Sequence, residues 1–340
     1  MTSVTLSPLA RVDRKRLLAP EATRSAEMQA LADWLTEQDK DLPDLTTLPI
    51  AEARAIRARQ AERINAALPA VESLTRFAVP GLAGSPAVAC DLIVPEGASP
   101  GCITYLHGGG WVHGNLASHA RLARMLAIAT ARRVLYVDYR LAPENPYPAG
   151  LDDTIAVWRW SVAESARDSA FQGPLAIAGD SAGANLALAS MLRELQEGRR
   201  IPDLALLFYG VYSADLDSPS YQRFANGYGL TRAAMAGLWG MYAPGGAEPG
   251  SVRRDPLLSP VEASAAALAR LPPLYLCAAG LDPLLFDTIA LAERLDAAGA
   301  AYELTIHEGV QHAFMQHTAR LEEARRAFRL AGAFFARTAR

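Results

Sequence analysis

Cysteine is scarce in this chain of 340 residues, which contains only Cys90, Cys102 and Cys277. The three are far apart and lack the spacing of metal ligands. Each lies in or beside an apolar stretch that is typical of a protein core. We therefore expect buried thiols, no disulfide framework and no metal site.

Long runs of one residue class are also missing. No segment reaches the run of about 18 uncharged apolar residues that a membrane helix needs, and the N-terminus lacks the apolar core of a secretory signal. We therefore predict a cytoplasmic protein with no membrane association. Thirty-three basic residues face 36 acidic ones, for a formal charge of −3. Since no basic cluster is long enough to follow a phosphate backbone, nucleic acid is not an expected partner.

Apolar residues make up 51% of the chain, which is enough for a sizeable globular core. From Leu74 onward, short β-prone runs end in proline or glycine, and helical stretches lie between the later runs. The runs are RFAV, VACDLIVP, CITYLH, RRVLYVDY, PLAIAG, DLALLFYG, LPPLYLCAAG and AYELTIHEG, and the main helical stretches are 149–165, 182–197, 284–298 and 319–338. This alternation predicts an α/β fold with a mostly parallel sheet flanked by helices on both faces.

Two segments depart from the alternation. Residues 21–68 show apolar side chains at helical spacing, broken by Pro43 and Pro49. Residues 213–250 are rich in Tyr, Trp, Gly and Pro, and they stand where a crossover helix is due. We predict that residues 1–73 form an N-terminal helical cap segment. Residues 74–340 are then the main domain, with a cap insertion at about 213–250.

The sequence GDSAG at 179–183 lies between an apolar run and a helical stretch. In that context, small residues allow a sharp strand-to-helix turn that presents Ser181 at the sheet edge, as a nucleophile elbow requires. A tight turn with a serine N-cap is the alternative interpretation, but it does not need both glycines. Ser181 is our candidate nucleophile.

A glycine-rich loop, HGGGW at 107–111, follows the run CITYL directly. Acyl transfer builds negative charge on the carbonyl oxygen, so several backbone amides must converge on it without side chains in the way. We predict an oxyanion hole formed by the amides of Gly108, Gly109 and Ala182, each worth about 3 kcal/mol of barrier. A flexible glycine loop is the alternative.

The general base is sought among six histidines. His312 is the best candidate, because it follows the last β-prone run in a short loop before the final helix. His307, at the end of that run, is the alternative base. We expect His107 to orient the glycine loop, and the remaining three histidines to occupy solvated or packing surfaces: His113, His119 and His317.

The orienting acid should follow the preceding strand, in the chain order Ser, Asp, His. Asp282 meets this condition directly after LPPLYLCAAG, where its carboxylate can fix the imidazole tautomer. Asp287, inside the next helix, and Asp255, before the strand, are the rivals. A helix N-cap is the structural alternative for Asp282.

Six ordered blocks resemble the bacterial hormone-sensitive-lipase-like family of esterases. They are HGGGW at 107–111, YRLAPE at 139–144, YPAGLDD at 147–153, GDSAG at 179–183, LDPLL at 281–285 and HAF at 312–314. The resemblance covers about residues 75–340. It implies the α/β-hydrolase fold with a helical cap, hydrolysis of short to medium acyl esters, no cofactor, and a possible homodimer.

The same resemblance implies substrate contacts for Trp111, Tyr209 and Leu284. The chain also departs from the family pattern. Leu285 and Phe286 replace the arginine and acidic residue that often follow DPL, and Gly210 replaces a proline after the tyrosine of the sixth strand. These changes concern the predicted pocket and do not affect the triad.

Three other functions share parts of this pattern. An amidase or arylformamidase would use the same triad and a similar glycine loop. A non-catalytic small-molecule receptor of this fold would have lost a triad member, and all three candidates are present here. A lipase that acts on aggregated lipid would need an amphipathic lid, and none stands out in the sequence.

Overall fold

The computed structural model describes residues 8–244 and 254–339. The eight predicted β-prone runs form eight strands of one sheet. In chain order, the strands are β1 (Ser73–Val79), β2 (Val88–Val94), β3 (Cys102–Leu106), β4 (Arg133–Asp138), β5 (Leu175–Asp180), β6 (Leu204–Phe208), β7 (Leu274–Leu281) and β8 (Tyr302–Gln311).

The sheet has the order β1-β2-β4-β3-β5-β6-β7-β8. β1 and β2 pair antiparallel at one edge, and β2 is antiparallel to β4. All remaining pairs are parallel. The order reverses direction at β3, which lies between β4 and β5. Parallel sheets bind ligands at such a reversal, beyond the carboxyl ends of the strands.

Eleven α-helices lie within the described ranges. They are α1 (Arg14–Leu18), α2 (Ala26–Asp39), α3 (Ile50–Ile64), α4 (Leu116–Thr130), α5 (Ala149–Glu164), α6 (Ala182–Gln196), α7 (Pro219–Arg223), α8 (Arg232–Tyr242), α9 (Ala265–Leu268), α10 (Leu285–Ala298) and α11 (Glu322–Thr338). None of these described helices combines the length and the apolar character needed to cross a bilayer.

Both faces of the sheet are covered by helices. Leu151 of α5, Leu186 of α6 and Leu291 of α10 belong to one buried cluster. Leu122 of α4 and Phe328 of α11 belong to the cluster on the other face. Every residue of β3, β5 and β6 is buried, and apart from Thr104 and Asp180 these strands are apolar on both sides, as the sequence runs predicted.

The three cysteines are unpaired and buried, as predicted. Burial raises the pKa of both Cys90 and Cys102 to about 12, so these thiols stay protonated and behave as small apolar side chains.

The two segments predicted as cap contain helices α1–α3 and α7–α8. Met28 and Leu31 of α2 pack into the core cluster that contains α4 and α11. Residues 1–7 and 245–250, which the predicted cap included, lie outside the described residues.

Candidate active site

Ser181 stands at the junction of β5 and α6 in a backbone conformation that is rare for a residue with a side chain, with φ 55° and ψ −120°. The flanking glycines make this turn possible. A Cβ on Gly179 would lie 2.4 Å from the backbone of Gly183, and a Cβ on Gly183 would lie 2.0 Å from the Leu106 carbonyl oxygen. Strain of this kind concentrates at functional sites.

The structure brings Ser181, His312 and Asp282 together in one line of hydrogen bonds. His312 Nε2 lies 2.9 Å from Ser181 Oγ, and His312 Nδ1 lies 2.7 Å from Asp282 Oδ2. The other Asp282 oxygen accepts the amide of Leu284 at 2.9 Å. All three residues follow the carboxyl ends of strands, at β5, β7 and β8, which places them at the same edge of the sheet.

The rival residues are engaged elsewhere. His307 is fully buried and its Nδ1 is paired with Glu323. Asp287 accepts the amides of Tyr212 and Ser213, each at 3.0 Å.

Asp255 also has other partners. Its Oδ1 accepts the amide of Leu257 at 2.8 Å, and its Oδ2 lies 3.4 Å from the Tyr147 hydroxyl. Neither rival carboxylate is therefore hydrogen-bonded to His312.

The glycine loop is held from one side by Asp180. The amide of Gly108 donates to Asp180 Oδ1 at 2.9 Å, and the Tyr105 hydroxyl donates to the same oxygen. Gly108, a predicted oxyanion donor, therefore already has a protein acceptor. The amides of Gly109 and Gly110 have no acceptor among the described residues, and both glycines line the cavity in front of Ser181.

Asp180 was not singled out from the sequence, although it belongs to the GDSAG motif. Burial by itself raises the pKa of its carboxyl. The His119 ring and the hydrogen bonds from Tyr105 and Gly108 outweigh burial, so the pKa lies below its usual value. Asp180 is therefore a buried carboxylate that fixes the glycine loop.

His107 orients the glycine loop from the other side. Its Nδ1 lies 2.7 Å from the Gly108 carbonyl oxygen, and the Tyr139 hydroxyl donates to the His107 carbonyl oxygen at 2.7 Å. Burial, with the nearby His119, lowers the pKa of the His107 ring to about 3, so the ring is neutral at physiological pH.

A cavity of about 460 Å³ opens in front of Ser181 and His312. One wall is apolar and includes Leu230, Ala234 and Leu238 from α8 and the turn before it. Helices α2 and α3 line the cavity with both apolar and polar side chains, which are Met28, Leu35, Asp39, Arg57, Gln60, Ala61 and Ile64. The main domain adds polar side chains, among them Gln316 and three histidines besides His312.

Those three histidines correct a prediction. His113, His119 and His317 were expected on solvated or packing surfaces, but all three line this cavity. The reason is that the loop before α4, the first turn of α4 and the turn after His312 all lie near Ser181 at the sheet edge. His119 Nε2 lies 3.7 Å from Asp180 Oδ2.

The predicted substrate contacts Trp111, Tyr209 and Leu284 lie behind the cavity wall. Each is only 1% exposed, and none is among the described residues that line the cavity. Trp111 stacks on Tyr242 with 4.3 Å between ring centroids. Leu284 reaches the site through its amide, as described above.

Tyr209 supports the base. Its ring meets the His312 ring edge-on, with 5.1 Å between centroids. Tyr209 therefore contacts the base, Leu284 contacts the orienting acid, and Trp111 packs on Tyr242, while the predicted direct contact of these three residues with substrate is not supported.

Comparison with known proteins gives a consistent result. A family model described as the α/β-hydrolase fold matches residues 103–316. The chain is 37% identical over 224 residues to ethyl acetate hydrolase of Pseudomonas putida, covering 65% of this chain and 68% of that protein. It is 36% identical over 215 residues to carboxylesterase NlhH of Mycobacterium tuberculosis, covering 63% of this chain and 66% of that protein.

A solved structure extends the likeness over nearly the whole chain. The ester-hydrolase EH1AB1 from the metagenome of Lake Arreo superposes with a TM-score of 0.84 and 31% identity, covering 93% of this chain and 99% of that one. The likeness therefore includes the segments outside the matched family model.

Proposed function

The chain belongs to the α/β-hydrolase fold family, and we propose that it is a carboxylic ester hydrolase that works through an acyl-enzyme on Ser181. The observation that carries this proposal is the line of hydrogen bonds from Asp282 through His312 to Ser181, at the edge of a cavity. The names of its relatives, which include an ethyl acetate hydrolase and a carboxylesterase, support the same reaction.

In the first half-reaction, His312 Nε2 takes the proton of Ser181 Oγ as that oxygen attacks the ester carbonyl. Asp282 stabilises the imidazolium that forms. Collapse of the tetrahedral intermediate breaks the bond to the alcohol oxygen, which receives the proton from His312. In the second half, water repeats these steps on the acyl-enzyme and releases the carboxylic acid.

We propose that the amides of Gly109, Gly110 and Ala182 donate hydrogen bonds to the oxyanion. Gly109 and Gly110 have no described protein acceptor, and Ala182 is the first residue of α6, where amides lack intrahelical partners. Gly110 therefore takes the place of Gly108 in the predicted oxyanion hole, because the Gly108 amide already donates to Asp180.

The size and lining of the cavity support short to medium acyl esters. A volume of about 460 Å³ is at the lower end of small-molecule sites. We further propose that the N-terminal segment and the insertion form a cap, because Leu35, Arg57 and Leu238 from these segments line the cavity. The homodimer and the cytoplasmic location stay predictions.

Replacing Ser181 by alanine tests the proposal. We expect kcat on p-nitrophenyl butyrate to fall by at least about 10⁴-fold, since the nucleophile is lost. Ser190→Ala is the matched control, because Ser190 is a buried serine on α6 that donates to its own helix and does not line the cavity. Turnover by Ser181→Ala near that of the control would disprove the assignment. Faster hydrolysis of p-nitrobutyranilide than of the ester would instead favour an amidase.

A further inference from the structure

Helix α3 carries four arginines, and two of them have clear acidic partners. Arg54 forms a bidentate pair with Glu144, at 2.8 and 2.9 Å. Arg63 pairs with Asp39. Arg57, between them in sequence, forms no ion pair with any described carboxylate.

Arg57 lines the same cavity as Ser181 and His312. The residue is accessible to solvent, yet burial lowers the pKa of its guanidinium. The guanidinium is therefore partly desolvated at the cavity but still open to solvent, and it has no described hydrogen-bond or ion-pair partner. An anionic ligand in the cavity can supply that partner.

His113 places this charge near the catalytic loop. The amide of His113 donates to the carbonyl of Gly109 at 2.9 Å. Burial and the charges of Arg57 and Arg54 lower the pKa of the His113 ring to about 4. The Arg57 charge is therefore close enough to act on a residue tied to the glycine loop. At neutral pH the ring itself is uncharged.

Two acidic residues line the cavity as well, but both already have protein partners. Asp39 pairs with Arg63 and accepts from Gln60 at 2.8 Å. Asp180 is almost fully buried and accepts from Tyr105 and Gly108. Among the charged side chains of the described lining, Arg57 is therefore the one without a described hydrogen-bond or ion-pair partner.

We propose that Arg57 is a specificity-determining residue that binds a free carboxylate on the substrate, so that the preferred substrates are short esters carrying a second, unesterified carboxyl group. This rests on the proposed ester hydrolysis. The fork of the guanidinium matches a carboxylate in two parallel hydrogen bonds. The apolar wall accommodates the hydrocarbon part of the same molecule.

The carboxylate can belong to the acyl part or to the alcohol part of the ester, so the test uses two isosteric pairs. Monoethyl glutarate is compared with ethyl 5-methylhexanoate, in which an isopropyl group replaces the carboxylate of the acyl part. Carboxymethyl butyrate is compared with isobutyl butyrate, which does the same in the alcohol. We expect the wild-type protein to show the higher kcat/KM for the charged member of at least one pair.

Arg57→Gln should lower kcat/KM for that charged ester by about 10- to 100-fold, the range for losing a hydrogen bond to a charged group. Its neutral isostere should change by less than about threefold. Arg57→Lys keeps the charge and should retain an intermediate preference. Arg59→Gln is the matched control, because Arg59 is an exposed arginine of the same helix that does not line the cavity. It should leave both esters unchanged.

Equal losses on charged and neutral esters in Arg57→Gln, or a wild-type preference for the neutral member of both pairs, would overturn the proposal and leave ester hydrolysis standing. If no ester is hydrolysed, the proposed function fails instead. In that case, calorimetric titration of the wild-type protein and of Arg57→Gln with glutarate still tests whether Arg57 binds a carboxylate. Binding at least tenfold weaker in the variant supports the carboxylate site, and equal binding contradicts it.

Discussion

At the scale of single residues, two carboxylates five positions apart meet different surroundings. Asp282 accepts hydrogen bonds from His312 and from the amide of Leu284. Asp287 accepts two backbone amides with one oxygen, while its other oxygen is buried with no partner among the described atoms. Burial raises the pKa of Asp287 well above its ordinary value.

This shift predicts a pH-dependent stability difference. Because the folded protein binds the Asp287 proton more tightly than the unfolded chain, the stability that Asp287 contributes is present at low pH. It is lost as pH rises through the folded pKa. Asp287→Asn has no proton to release and can still accept both amides. We therefore expect the free energy of unfolding of this variant, relative to wild type, to increase between about pH 5 and about pH 8.

Urea unfolding at several pH values measures this difference. Asp296→Asn is the control, since Asp296 is exposed on the same helix, α10. Its stability relative to wild type should not follow the same trend. A difference for Asp287→Asn that stays constant with pH would contradict the prediction.

At the scale of elements, the contact of α6 with β3 depends on a missing side chain. A Cβ added to Gly183 would lie 2.0 Å from the Leu106 carbonyl oxygen and 2.5 Å from its carbon. Neither atom can move without disturbing β3, which carries the glycine loop. Gly237 in α8 differs, because a Cβ there would meet nothing within 4 Å.

The two positions predict opposite effects of alanine. Gly183→Ala should destabilise the protein by about 2–3 kcal/mol and lower kcat, because α6 must shift away from β3. Gly237→Ala should stabilise it by about 0.5–1 kcal/mol, because alanine is the better helix former. Thermal unfolding of both variants, with kcat on a neutral ester, checks the pair. If Gly237→Ala lost as much stability as Gly183→Ala, the close approach of Gly183 to Leu106 would not be the cause of the destabilisation.

At the scale of the whole molecule, Arg24 links three distant segments. Its Nε donates to Gln311, the residue before His312, at 2.9 Å. Another nitrogen donates to the carbonyl of Gly227 in the predicted cap insertion. The guanidinium also lies 5.3 Å from the centre of the Tyr228 ring. The N-terminal segment, the insertion and the loop of the base therefore share one side chain.

Arg24→Met should loosen this junction. We expect a loss of about 1 kcal/mol in stability, since the hydrogen bonds are only partly buried, and faster hydrogen exchange in α2 and α7. Arg16→Met is the control, because its ion pair with Glu308 is exposed, at 70% and 54%, and such pairs contribute about 0–1 kcal/mol. Unchanged exchange in both helices of Arg24→Met would contradict the role of Arg24 as a link.

The sequence alone predicted the features that local chemistry dictates. Apolar runs buried on both faces identified the strands, and the α/β-hydrolase fold followed from their alternation with helices and from the resemblance. The pattern GDSAG predicted the sharp turn at Ser181, because only small neighbours permit it. The position of His312 and Asp282 after successive strands predicted the side chains that now lie within hydrogen-bond distance of each other.

Only the tertiary structure decided which groups meet where segments distant in sequence converge. It paired the Gly108 amide with Asp180, left the Gly110 amide with no acceptor in the described part of the chain, and buried Trp111 away from the cavity lining. It also gave Arg54 and Arg63 acidic partners, while Arg57 lines the cavity without one among the described residues. The physical reason is that periodicity and motifs describe neighbours along the chain, whereas the charge and lining of a cavity depend on contacts between separate elements.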